Sequence, residues 1–158
     1  MDYKGHLILG AIVSIIFISI MKYFFNWFPL NISSVIIIAI IITIYCLLPD
    51  SDTKASKIVW FFIGVAVIGL IIGAIDYWLF NIPSINGKAL ILFSIILIGY
   101  AYISAEFIPH RGIIHTVWIG LILSGLLYFV LNDWQYVCLG FVAYLSHLWG
   151  DGYVFKLW

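Results

Sequence analysis

Long runs of Ile, Leu, Val and Phe with no alternation constrain this chain more than any other feature; the stretch ISSVIIIAIIITIYCLL at 32–48 is apolar at nearly every position. A segment that is hydrophobic all round offers no face to water, so it must be buried in protein or in lipid. The 158 residues are 65% hydrophobic and only 9% charged, whereas a soluble domain covers itself with about 25% charged residues. Mean hydropathy is +1.19, and the bilayer is the solvent these runs fit. In hydrocarbon every backbone N–H and C=O must pair within the chain, which leaves helices or a closed barrel. A barrel needs apolar residues at every second position, a pattern these runs lack. The expected fold class is therefore an all-α integral membrane protein, a single transmembrane domain over 1–158 with one bundle of about six helices.

Breaks at Pro, Gly, Asn and charged residues divide the chain into six pieces approaching the roughly 20 apolar residues that cross a bilayer. They run from about His6 to Phe25, Ser33 to Leu48, Ser56 to Phe80, Lys88 to Glu106, Ile113 to Leu131 and Trp134 to Trp149. The first is expected to be a retained helix, because no small-residue cleavage site follows it. Asp76, Tyr77 and Trp78 read as the third span emerging into water. Gly64, Gly69 and Gly73, together with Ser14, Ser94 and Ser124, are small enough to let helices approach closely, within one bundle or between subunits.

Formal net charge is zero and the seven Lys and Arg are dispersed. Neither nucleic acid nor a polybasic lipid contact is indicated. Cys46 and Cys138 fall at opposite ends of their spans, too far apart for a disulfide. With an even number of crossings, both termini and the loops near 49–56 and 107–112 share one face. That face carries Lys4, Lys54, Lys57, Arg111 and Lys156 against Lys22 and Lys88 on the other, which makes it cytoplasmic by the positive-inside rule in a plasma or inner membrane.

The same face collects the chemistry. Asp50 and Asp52 follow Pro49 and, two apart in an extended turn, can aim at one cation or two; a solvated loop capping the third helix is the plainer alternative. HRGIIHT supplies His110 in a turn and His115 in the first turn of the fifth span. Between them Arg111, the only arginine in the chain, is a planar fork suited to phosphate or to lipid headgroups. His147 and Asp151 are four apart, one turn on a helix, where they can share an ion or the carboxylate can orient the imidazole, unless Gly150 and Gly152 end the helix first. His6 follows Gly5 at a helix start and taken singly reads as an interfacial residue. Together these are four His and three Asp from four separate stretches, while the opposite face has Asp76 and Asp133 and no histidine. Ionisable groups near membrane depth are expensive and mark sites, so the combination points to a metal site holding one or two divalent ions.

GHLILG, LLPDSD, HRGIIHT and AYLSHLWGD, in that order, resemble the motifs of a predicted membrane-bound metal-dependent hydrolase family, the LexA-regulated inner-membrane hydrolase type. The resemblance implicates His6, Asp50, Asp52, His110, Arg111, His115, His147 and Asp151. The chain departs from the family pattern at Thr53, where a His is common, at Ile114 in place of Thr and at Thr116 in place of Ser. Two additional spans lie between the Asp pair and His110. The third and fourth segments then read as a hairpin inserted into a four-helix unit.

The function expected is hydrolysis of a phosphate ester on a lipid or polyprenyl carrier at the cytoplasmic face. His6, His110, His115 and His147 with Asp50, Asp52 and Asp151 would bind zinc, or manganese or iron. Arg111 would grip phosphate, and Asp52 or Asp151 would take or orient a proton. A metal-ion transporter is the alternative, although the chain lacks the internal repeat and the mid-membrane ionisable groups of such proteins. A peptidase lacks its His-Glu-x-x-His motif, and a non-catalytic membrane protein would hold no metal.

Overall fold

A computed structural model describes residues 3–29, 31–52, 57–80, 87–107 and 113–152. The described residues form six α-helices and no strand: α1 Tyr3–Phe25, α2 Ile32–Leu47, α3 Lys57–Ile75, α4 Gly87–Phe107, α5 Val117–Leu131 and α6 Trp134–Gly150. Short tighter or wider turns extend three of them. A 3-10 turn, Leu48–Asp52, follows α2, a π-helical turn, Asp76–Phe80, follows α3, and a 3-10 turn, Ile113–His115, leads into α5. The stretches Tyr3–Phe25, Ile32–Asp50 and Ile58–Trp78 are each long and apolar enough to cross a membrane alone, and Gly87–Ile103 and Val117–Leu131 are shorter apolar helices.

Local chemistry fixes where helices begin. Asn31 caps α2, its side-chain oxygen accepting from the Ser34 N–H at 2.8 Å, and Asp133 caps α6 by accepting from the Gln135 N–H at 2.8 Å. These caps satisfy N–H groups that have no partner inside the helix. Asn132 ends α5 in the left-handed region, φ 50°, a conformation Asn tolerates better than most residues.

α6 is the axis of the bundle: α1, α2 and α5 each pack on it, and α1 also packs on α2. Its buried residues, Tyr136, Val137, Leu139, Gly140, Ala143, Tyr144, Ser146, His147 and Leu148, make one broad face, while Trp134, Phe141, Val142, Leu145 and Trp149 on the other side are half-buried or exposed. A helix face covered by protein has no need to suit lipid, which is why α6 can carry Ser146 and His147 on its buried face and be the least apolar of the six. α1 buries only His6, Gly10 and Ser14, one stripe at helical spacing. Where that stripe meets the bundle, a side chain at Gly10 would run into the Cys46 thiol.

α3 and α4 pack mainly on each other as a hairpin beside this unit. Gly69 and Gly73 are the contact points, a β-carbon on Gly73 coming within 2.9 Å of the Gly87 carbonyl and of Ile91. Gly64 makes no such contact within the bundle: among the described residues nothing lies within 4 Å of where its β-carbon would be. Asp76 departs from expectation. It is buried at 3% exposure and accepts from the Gly87 N–H at 2.9 Å. The carboxylate lies at the start of α4, where free N–H groups and the helix dipole favour a negative charge over its hydration. The hairpin reaches the four-helix unit near the end of α2, where the Tyr100 hydroxyl donates to the Leu48 carbonyl at 3.0 Å.

Candidate metal centre

At one end of the bundle the start of α1, the turn after α2, the turn before α5 and the end of α6 converge. His6, Asp50, His147 and Asp151 each place a ligand atom there, all within 4.8 Å of one another. Separate closures of the chain build this cluster, and each has a local cause.

His147 is fixed from behind. Its Nδ1 lies 2.7 Å from the Cys46 carbonyl oxygen; a carbonyl only accepts, so Nδ1 carries the hydrogen and Nε2 presents its lone pair to the cluster. The carbonyl is available because the chain tightens into the 3-10 turn. Its partner three residues on is Pro49, which has no N–H to give. Nε2 of His147 stands 3.4 Å from Asp50 Oδ1 and 3.5 Å from Asp151 Oδ2, and makes no hydrogen bond among the described residues.

His6 enters from α1 with Nε2 3.2 Å from Asp151 Oδ1. It lies against Gly150, where a β-carbon would sit 3.0 Å from His6 Nδ1, so the glycine makes room for the ring. The His6 and His147 rings stack, 3.8 Å between centroids and 19° between planes. His115 lies in the 3-10 turn, ahead of the Thr116 N-cap and not in the first turn of α5 as the spacing suggested. Tyr144 of α6 ties this turn down, its hydroxyl donating to the Ile114 carbonyl. That contact brings His115 Nε2 to 3.7 Å from Asp151 Oδ2.

Asp151 caps α6 as the helix stops, and Gly152 follows at φ 77°. The helix ends early, yet the four-residue spacing to His147 survives within the final turn. Asp50 sits in a 3-10 turn, not an extended one, and at 21% side-chain exposure is the most open member, whereas the three imidazoles are fully buried. Asp52 ends the same turn; its side chain, like His110 and Arg111, lies outside the described residues.

Charge-assisted N–H···O bonds measure about 2.7–2.9 Å, and these contacts are longer. Atoms bound about 2.1 Å from one cation at tetrahedral or octahedral angles lie about 3.0–3.4 Å apart, close to the spacings found. Three fully buried imidazoles beside two carboxylates also gather nitrogen and oxygen donors into one space, the donor set of a borderline divalent cation. The residues present thus fit a divalent metal of mixed nitrogen and oxygen ligation.

Aromatic residues set the depth. Tyr3, Trp60, Tyr102, Trp118 and Trp149 are exposed around the end that holds the cluster, and Tyr23, Trp78 and Trp134 around the other. Two such girdles mark the interfaces of a membrane protein, and the cluster lies at the level of one of them.

Sequence reasoning found His6, Asp50, His115, His147 and Asp151, which the fold brings together. It missed the supports: the Cys46 carbonyl, Tyr144, Gly10 and Gly150. A proline three residues after Cys46 and a glycine one helical turn after His6 were the available signals. No curated protein and no solved structure matches the chain. The family model described as YdjM inner membrane protein matches residues 1–154, and the chain belongs to that family.

Proposed function

We propose that the protein is a metal-dependent hydrolase of phosphate esters carried on lipid or polyprenyl chains, working at the cytoplasmic membrane face. One observation carries this reading: four ligand atoms from His6, Asp50, His147 and Asp151 lie within 4.8 Å of one another at the end of a membrane bundle. Zinc suits the imidazole content best, with manganese or iron also compatible. A bound cation would acidify water toward neutral pH and offset charge on phosphate oxygens.

The chain's own residues supply the rest. The Cys46 carbonyl holds His147 in the tautomer that offers Nε2. Asp50, the more open carboxylate, would hold a cation through one oxygen, and its other oxygen is suited to orient water or accept its proton. Asp52 is a second candidate for that task. Arg111 and His110 belong to the loop just before His115 in sequence, and a guanidinium there would grip a non-bridging phosphate oxygen. A lipid substrate fits the placement at an aromatic girdle, where headgroups lie and chains remain in hydrocarbon.

The test is phosphate release by purified protein from a panel of phospholipids and prenyl phosphates. Release that requires zinc or manganese and disappears in a folded His147→Ala variant supports hydrolysis. Metal-ion flux into liposomes with no release from any member of the panel favours the transporter instead.

A further inference from the structure

We infer that the centre is built for a pair of cations bridged by Asp151, with His6 serving one ion and His147 the other; this rests on the metal reading above. An imidazole lone pair lies in the plane of its ring, so two rings that share an ion must have planes that converge on it. The His6 and His147 rings are stacked 3.8 Å apart and only 19° from parallel. Planes so nearly parallel meet far beyond a metal–nitrogen distance of about 2.1 Å, and no single point satisfies both lone pairs. Each ring instead addresses its own position. Those positions are separated by about the stacking distance, which matches the spacing of about 3.5–4 Å in two-metal sites.

Asp151 divides in the same way. Oδ1 faces His6 Nε2 at 3.2 Å, while Oδ2 faces His147 Nε2 at 3.5 Å and His115 Nε2 at 3.7 Å. One carboxylate oxygen per cation is the arrangement of a bridging ligand. His115 provides the contrast within the same cluster. Its ring is tilted 59° from that of His147, with centroids 5.6 Å apart, so these two planes do converge and the pair can serve a single ion. Asp50 Oδ1, 3.4 Å from His147 Nε2, joins that second position. The ion beside His6 therefore has fewer protein ligands among the described residues, and is the position with room for water or a phosphate oxygen.

Full-length protein, purified in detergent and stripped of metal, is titrated with Mn(II) alone and followed by bound-metal analysis and electron paramagnetic resonance. Two Mn(II) per chain are expected, with exchange coupling through the carboxylate suppressing the hyperfine multiplet of isolated Mn(II) as the second ion enters. His6→Ala should drop capacity from two ions to one and restore the isolated signal, and Asp151→Asn should weaken the coupling. A wild-type chain that saturates at one ion with an isolated signal overturns the pair and leaves a mononuclear site standing. Failure to bind Mn(II) or Zn(II) at all overturns both readings. Should His6→Ala not fold, the wild-type titration alone decides.

Discussion

The four-helix unit of α1, α2, α5 and α6 and the α3–α4 hairpin are made of equally apolar-looking sequence, yet they use it differently. In the unit, α6 turns Ser146 and His147 to its protein-covered face, and the small residues Gly10 and Gly150 let His6 come against them. The hairpin spends Gly69 and Gly73 on closing upon itself and satisfies its one described buried carboxylate, Asp76, with a helix terminus. Burial of an ionisable group is thus no signature of chemistry by itself. What separates the two regions is whether the partners are other ionisable side chains or backbone groups of the helix ends.

The largest effect should come from His147→Ala, which removes the ligand that the Cys46 carbonyl, Asp50 and Asp151 all address. Metal affinity should fall by at least about a hundredfold, since even indirect support of a metal ligand is commonly worth 10–100-fold. Equilibrium dialysis against zinc or manganese checks it. Retained stoichiometric metal in a folded variant would remove the distinction between the two regions. Next is Gly10→Val. Overpacking the contact with Cys46 and Ser146 should cost about 1–3 kcal/mol and displace His6, so thermal stability in detergent and metal capacity should fall together. Gly73→Val makes the same change inside the hairpin. It should lower stability by a similar amount but leave metal binding intact, because the atoms nearest to a β-carbon on Gly73 belong to Gly87 and Ile91 of the hairpin itself. Parallel loss of metal there would show that the hairpin holds the centre in place.

Much of this was legible because cost is legible. Histidines and aspartates at the ends of apolar runs are placed against the preference of the solvent, and the short list of places where a membrane helix can end made their shared face predictable. The turn geometry was hidden. Pro49 announced the end of α2 but not that Asp50 would ride a 3-10 turn, and the four-residue spacing put His147 beside Asp151 without showing that Asp151 would also meet His6 and His115. Asp76 misled for a physical reason: a carboxylate at the end of an apolar span reads as emergence into water, and the N–H groups that replace water belong to a helix eleven residues further on. Gly69 and Gly73 meet α4 as their size suggested while Gly64 on the same helix meets nothing among the described residues, because spacing tells which residues share a helix face but not which face has a neighbour.

Asp76→Ala therefore sharpens the comparison on a smaller scale. Loss of the bond to the Gly87 N–H should cost about 1–3 kcal/mol in thermal or denaturant stability, with no change in metal stoichiometry. The smallest effect is expected at Gly64. Among the described residues nothing lies within 4 Å of this helical glycine's missing β-carbon, so none of them has to move when one is supplied. The remaining consequence of Gly64→Ala is conformational: alanine loses less backbone freedom on forming a helix, which favours the folded state by about 0.5–1 kcal/mol. A slight rise in melting temperature in detergent is the outcome consistent with an open position on the hairpin's surface. A clear fall would mean that something outside the single chain, such as a second copy, packs against this glycine, and the hairpin would then have a partner of its own.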